Sequence, residues 1–206
     1  MAARHLVFIR HGESEHHVRG LTGGWTDTPL TPLGRAQVRA TADYLLANRP
    51  ASVVLFASDL KRADESARII GERLGCEPTS LASLRELDNG DARDLTLEDA
   101  ALIAAPGPPA RDPDWQPYPG AETWRRLFER MQHALTTMEQ VLNDGDTLVV
   151  VGHGLSGQAL VLAWLGLDPA TNIALHFDVA SVTELKINEW GEREITQLNR
   201  TFHGTS

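Results

Sequence analysis

The apolar run Leu6-Val7-Phe8-Ile9 is followed at once by Arg10, His11 and Gly12, an order that places a cation and an imidazole at the end of a short buried strand. A histidine beside a fixed cation is biased toward its neutral form, which leaves a ring-nitrogen lone pair free to attack an electrophile. The arginine offers a planar fork of donors that matches phosphate oxygens. Alone, the triplet fits an ordinary surface strand end equally well. Two further stretches repeat the arrangement: Val53-Val54-Leu55-Phe56-Ala57 precedes Arg62, and Thr147 to Val151 precedes His153. In open α/β sheets ligands sit beyond the carboxyl ends of the strands, so these four side chains can converge although they lie far apart in the chain. Two histidines and two arginines around one point suit a dianionic group.

The elements that must position them follow from pattern and punctuation. The β-branched first strand is followed by a polar, glycine-bearing loop through Thr22-Gly23-Gly24-Trp25. Thr31 as N-cap and Pro32 at the first helical position open a helix, with Leu33, Ala36, Gln37, Ala40, Tyr44 and Ala47 on one face and Pro50 closing it. Residues 51–57 form the second strand. Ser58 and Asp59 are placed to cap the next helix, whose inward stripe is Leu60, Ala63, Ala67, Ile70 and Leu74 and whose end is Gly75. Residues 77–87 read as short and extended, and Thr96 with Glu98 and Asp99 opens another helix. Six prolines between Pro106 and Pro119 exclude a regular helix there, so the segment at about 106–120 is expected to be a lid or rim carrying Trp115 and Tyr118. A long helix over 123–142 follows, with Leu127, Met131, Ala134, Leu135, Met138 and Leu142 buried. A strand over 147–151, a helix over about 155–165 and an edge hairpin over 181–188 and 194–199 complete the chain. The alternation predicts one α/β domain over 1–206, in three α/β/α layers. A mainly parallel central sheet carries helices on both faces and an antiparallel edge strand.

Composition bounds the partners. The 206 residues fit one domain, and 42% hydrophobic and 23% charged residues read as an ordinary globular protein. A net charge of −9 argues against nucleic acid or an anionic membrane as partner, because both demand a basic footprint. Any anion site must therefore be a local cluster of cations. The most apolar run, 147–167, is broken by Gly152, His153, Gly154, Ser156, Gly157 and Gln158, which rules against a membrane span. A single cysteine, Cys76, cannot form an intramolecular disulfide and no charged-then-apolar leader opens the sequence, so the expected setting is reducing and cytoplasmic.

Six motifs in order carry a resemblance. They are Arg10-His11-Gly12-Glu13-Ser14, the helix start Leu30 to Gln37, Ser58-Asp59-Leu60-Lys61-Arg62-Ala63, Leu84-Arg85-Glu86, Pro119-Gly120-Ala121-Glu122, and Val151-Gly152-His153-Gly154. Together they resemble the histidine phosphatase superfamily, also called phosphoglycerate-mutase-like. The resemblance implies that His11 is the nucleophile, that Arg10, Arg62 and His153 hold the phosphoryl oxygens, and that Glu86 is the general acid. A solvated acidic loop with Asp88, Asp91 and Asp94 would look the same around Glu86. Ser14, Thr22 and Gly23 fall where the family touches phosphate, although Glu13 and Ser14 also suit a local turn. At position 17 the family usually has an amide; this chain has His17, which can still donate. The extra Gly24 also departs from a Thr-Gly-Trp pattern. The His16-His17 pair does not read as a metal site, because consecutive residues of a strand point apart. His5, His133, His176 and His203 read as surface or packing residues.

The implied activity is that of a metal-independent phosphomonoesterase, with a phosphohistidine intermediate, acting on a small phosphorylated metabolite and needing no cofactor. A cofactor-dependent phosphoglycerate-type mutase is the alternative. Mutases of the family usually carry Glu-Arg-His-Tyr-Gly at the acid and a longer shielding insertion, whereas this chain has Arg85-Glu86-Leu87-Asp88-Asn89-Gly90 and is short. An inactive phosphate-binding or interaction module would lack the nucleophile or the acid, and both are present. Trp25, Trp115, Tyr118 and Trp124 either line the mouth or pack the loops. Arg19, Arg93 and Arg111 either bind a second anionic group or are solvated. The edge hairpin can pair with a second copy in a homodimer or be covered by the C-terminal tail.

Overall fold

The computed structural model describes residues 4–48 and 50–202, so His203 lies outside the described residues. Six strands, β1 (His5–Arg10), β2 (Ser52–Ser58), β3 (Thr79–Leu81), β4 (Asp146–Gly152), β5 (Val182–Ile187) and β6 (Arg193–Arg200), form one sheet. Their order is β3-β2-β4-β1-β5-β6. The first four in that order pair in parallel; β5 runs antiparallel to β1, and β6 antiparallel to β5. The helices are α1 (Glu15–Val18), α2 (Pro32–Ala47), α3 (Lys61–Leu74), α4 (Leu97–Ile103), α5 (Trp124–Glu139) and α6 (Gly154–Trp164).

Side-chain alternation in the central strands divides the core in two. Val7, Ile9, Val149 and Val151 pack with Val38, Leu45, Ala63 and Ile70 of α2 and α3. Leu6, Phe8, Leu148 and Val150 pack with Leu127, Met131, Leu160 and Trp164 of α5 and α6. A strand covered on both faces must be apolar at every position, which is why the β1 and β4 runs are unbroken. Each such side chain is worth about 1.5–3 kcal/mol relative to exposure, more than the ~1 kcal/mol of an average hydrogen bond. The burial of the strands, rather than polar contacts at their tips, therefore sets where the tips lie.

Several elements depart from the sequence reading. The buried face of α2 is Gly34, Gln37, Val38, Thr41, Ala42 and Leu45, while Leu33 is 46% exposed. The cause is a close backbone approach. A Cβ on Gly34 would lie 1.9 Å from Glu13 O, and one on Gly12 would lie 2.5 Å from Gly34 O, so the helix turns its small residues toward the loop after β1. At the start of α3, Ser58 Oγ accepts only the N–H of Leu60, the residue before the helix, at 3.3 Å, and Asp59 is not a cap. Lys61 N–H donates to Asp27 Oδ1 at 2.8 Å, and Asp59 instead takes both arms of Arg85 at 2.7 Å. Helix α5 stops at Glu139, because the chain tightens to i→i+3 bonds at Val141 and Leu142 before the Asn143–Asp146 turn. Thr31, Thr96 and Thr123 do accept helix N–H groups as caps. Residues 104–123 contain no helix or strand, and Ala105 N–H to Pro117 O at 2.9 Å pins the base of the proline-rich segment.

Candidate active site

Strand register brings the first two functional side chains together. Ile9 faces Val151 and Arg10 faces Gly152 across parallel β1 and β4, so the next residues out, His11 and His153, sit side by side. His11 N–H donates to Gly152 O at 3.0 Å, and the two rings meet edge to face with centroids 5.1 Å apart. Arg62 reaches the same point from the first turn of α3, which follows the neighbouring strand β2. The Val53–Arg62 and Thr147–His153 spacings thus do what parallel topology requires of them.

The protonation of His11 follows from its neighbours. Its Nδ1 lies 2.7 Å from Gly12 O, and a carbonyl can only accept, so Nδ1 carries the hydrogen and Nε2 keeps the lone pair. Arg62 Nε donates to that lone pair at 3.1 Å. Burial, then Arg62, His153 and Arg10, hold the His11 imidazole well below its ordinary value, leaving it neutral at physiological pH. Burial and the two arginines do the same to His153. Arg62 is 1% exposed, and its guanidinium is locked by Nη1 to Thr26 O at 2.7 Å and Nη2 to Gly24 O at 2.8 Å. Burial draws its pKa down to about 10, which still leaves it cationic.

Donors without partners surround this pair. Both ring nitrogens of His153 and the Nε of Arg10 are buried with no hydrogen-bond partner among the described residues. Arg10 is tethered by Nη1 to Phe177 O at 2.6 Å. His16 and His17 lie not in a strand but on the single turn α1, with ring centroids 4.0 Å apart, and the His17 ring stacks at 5.8 Å on that of His11. Ser14 N–H donates to His17 Nδ1 at 3.1 Å, so the hydrogen of the neutral ring is on Nε2, 3.4 Å from Arg10 Nη2. Two donors then face each other, a geometry that suits an anion between them. Burial and then neighbouring charges, His17 first among them, pull His16 to about 3; partial burial followed by Arg10 and Arg62 pull His17, which keeps one edge in solvent, to about 4.

Glu86 lies across the start of α6. Its Oε2 accepts Leu155 N–H at 2.9 Å and its Oε1 accepts Ser156 N–H and Leu87 N–H, both at 2.8 Å. Its main chain is clamped from two sides, by Trp25 Nε1 at 2.7 Å and Arg130 Nη2 at 3.1 Å, both to Glu86 O. Arg130 also holds Ser83 O and Arg85 O at 2.8 Å each and pairs with both oxygens of Glu122. Arg130 was not singled out from sequence, and Glu122 entered only within a motif, with no role given to it. Glu122 belongs to the Pro119–Glu122 motif and Arg130 lies eight residues on, a spacing that in hindsight is the available signal.

The remaining expected residues sit around rather than on the phosphate-sized centre. Ser14 Oγ meets His16 Nδ1 at 2.8 Å, and Thr22 Oγ1 donates to Ala92 O at 2.6 Å. Gly23 borders a cavity of about 720 Å³ that begins at Glu86. Gly24 is left-handed (φ +55°), and a Cβ there would strike Asn89, so the extra glycine is what lets its carbonyl reach Arg62. Trp115, Tyr118 and Trp124 line the cavity; Trp25 is not among its lining residues, and the guanidinium groups of Arg85 and Arg93 lie 4.8 and 5.1 Å from its ring centroid.

Comparison with known proteins identifies the family and the fold. The model of the histidine phosphatase superfamily (branch 1) matches residues 6–201. A glucosyl-3-phosphoglycerate phosphatase of Mycolicibacterium vanbaalenii is 36% identical over 176 residues, covering 81% of this chain and 76% of that protein. A 2,3-bisphosphoglycerate-dependent phosphoglycerate mutase of Methylorubrum populi is 29% identical over 213 residues, covering 95% and 99%. Among solved structures, mycobacterial glucosyl-3-phosphoglycerate phosphatase complexed with VO3 superposes with a TM-score of 0.80 at 31% identity, covering 96% of this chain and 99% of that one.

Proposed function

The chain belongs to the histidine phosphatase superfamily, and from that premise we propose that it is a phosphomonoesterase working through a phosphohistidine at His11. The observation that carries the reading is the set of buried, unpartnered donors on Arg10 and His153, gathered around a histidine whose tautomer leaves Nε2 as the nucleophile. A phosphoryl group placed there is the partner those donors lack. As it arrives, Arg62 Nε–H passes from His11 Nε2 to a phosphoryl oxygen, freeing the lone pair for in-line attack. The N–P bond forms as the bond to the ester oxygen breaks. Arg10, Arg62, His153 and His17 hold the three equatorial oxygens, where charge is spread in the transition state. Glu86 gives its proton to the departing alkoxide; as carboxylate it then takes a proton from the water that attacks phosphorus and restores His11. Ser14 acts through the histidine pair, and Thr22 and Gly23 shape the loop beside the site. The two guanidinium groups supply the positive charge this path needs and the neutral imidazoles add hydrogen-bond donors, so it calls for no metal and no cofactor.

The substrate is a small phosphate ester. The vanadate-bound relative supports the reading, because VO3 occupies in that protein a fold that superposes closely on this one. The full-length similarity to a mutase favours a second reading, in which the phosphoenzyme returns its group to the product instead of to water. Purified protein supplied with phenyl phosphate and a chelator is expected to release inorganic phosphate steadily. Supplied with 3-phosphoglycerate and 2,3-bisphosphoglycerate, it is expected to release phosphate rather than equilibrate the 2- and 3-isomers. Isomerisation faster than release would select the mutase, and loss of all turnover in chelator would remove the metal-free path.

A further inference from the structure

The cavity beside Glu86 is built for something other than a second anion. Its volume, about 720 Å³, is that of a site for a whole drug-sized ligand, and a three-carbon acid would leave most of it unfilled. Its charged lining groups are Glu86, Asp112 and Arg111, two acids against one base. The one base, Arg111, lies over the Trp124 ring at 5.1 Å, with Nη2 3.4 Å from Pro169 O. The indole N–H groups of Trp115 and Trp124 are likewise turned away, onto Pro106 O at 3.1 Å and Pro169 O at 2.9 Å. What those side chains present to the cavity is therefore ring hydrocarbon, continued by Leu97 and Leu155. Asn89, its amide engaged by Trp25 N–H and Thr22 Oγ1, adds little polarity. A carboxylate or second phosphate here would be desolvated beside two acids, with the exposed Arg111 as the single cation among the described lining residues.

Resting on the phosphatase reading, we propose that the leaving group is an uncharged, ring-bearing alcohol seated between Trp115, Tyr118 and Leu155, and that phosphorylated hydroxy acids are poor substrates. The test compares 2-naphthylmethyl phosphate with glycerol 3-phosphate and 3-phosphoglycerate. All three release an alkyl alcohol, so the need for a proton at the leaving oxygen is alike and the ratio reads the cavity. The naphthylmethyl ester is expected to exceed both in kcat/KM by at least about tenfold, mostly through KM. Trp115→Ala is expected to shrink that ratio toward one, and Leu155→Lys to move it toward 3-phosphoglycerate, each variant checked for an unchanged melting temperature. A second arm uses His11→Ala, which cannot turn over, and measures the Kd of the same three esters by calorimetry. Equal or better handling of 3-phosphoglycerate in both arms overturns the proposal. Binding preference without hydrolysis by the unaltered protein would leave the cavity assignment standing and remove the phosphatase reading instead.

Discussion

The two ends of the site are built by opposite means. At the phosphoryl end, His11, His153 and Arg62 are each 2% exposed or less; the two histidines directly follow strands whose apolar side chains are packed on both faces, and Arg62 stands in the first turn of the helix after a third such strand. At the leaving-group end, Trp115 and Tyr118 sit on a proline-rich segment with no helix or strand, held by scattered contacts such as Ala105 N–H to Pro117 O and the Arg125–Asp114 pair. The first end has its geometry fixed by the whole core. The second has its shape fixed by prolines and a few local bonds. Substitutions in the rigid end should therefore act on the chemical step, and those in the irregular end on which ester is accepted.

The sharpest attempt to break this division is His11→Ala. Hydrolysis of every ester is expected to fall on the order of 10⁴-fold or more while the melting temperature stays near that of the unaltered protein. A residual rate within tenfold would show that the buried imidazole is not the group attacked. Glu86→Gln comes next, with kcat for an alkyl phosphate reduced about 10²–10⁴-fold and a smaller loss for 4-nitrophenyl phosphate, whose leaving group departs without a proton. Equal losses on the two esters would assign Glu86 to holding α6 rather than to proton transfer.

Arg130→Met tests the support behind the acid. It removes the donors to Ser83 O, Arg85 O and Glu86 O and unpairs Glu122. About tenfold in kcat and roughly 1–3 kcal/mol in stability are expected. A change in KM alone would place the residue on the specificity side of the comparison. A last test, on stability alone, is pH. His11 and His153 are neutral in the fold, held well below their ordinary values, whereas in the unfolded chain each takes up a proton near pH 6.5. The unfolded state then binds more protons below that pH, so stability is full above about pH 7 and falls as pH drops. Each fully buried imidazole contributes up to about 1.4 kcal/mol per pH unit. Urea midpoints measured from pH 8 to pH 5 should decline below about 6.5, and a flat series would mean the imidazoles charge inside the fold.

The same division explains how much could be read without coordinates. β1 and β4 were legible because a strand covered on both faces has no polar position to obscure it, and Thr31 and Thr96 because a cap acts within its own first turn. The site residues His11, Arg62 and His153 could be tied together because parallel register and short strand-to-site spacings bring them to one edge. What escaped depended on contacts across the chain. The face of α2 is decided by Gly34 against Glu13, and the start of α3 by Asp27. The pairing of His16 with His17 depends on a helical turn whose first N–H groups meet Thr28 Oγ1 and Pro29 O. Arg130 declares its role only through carbonyls more than forty residues away. The apolar character of the cavity depends likewise on where two indole N–H groups turn, which no pattern of residue types records.

The most direct measurement is a rapid acid-free quench during turnover of a ³²P-labelled phosphomonoester, followed by mapping of the labelled residue. The account predicts one acid-labile, base-stable phosphoryl group per chain, carried on Nε2 of His11 and missing from His11→Ala. Label on another side chain, or steady hydrolysis with no labelled protein at any time, would contradict it.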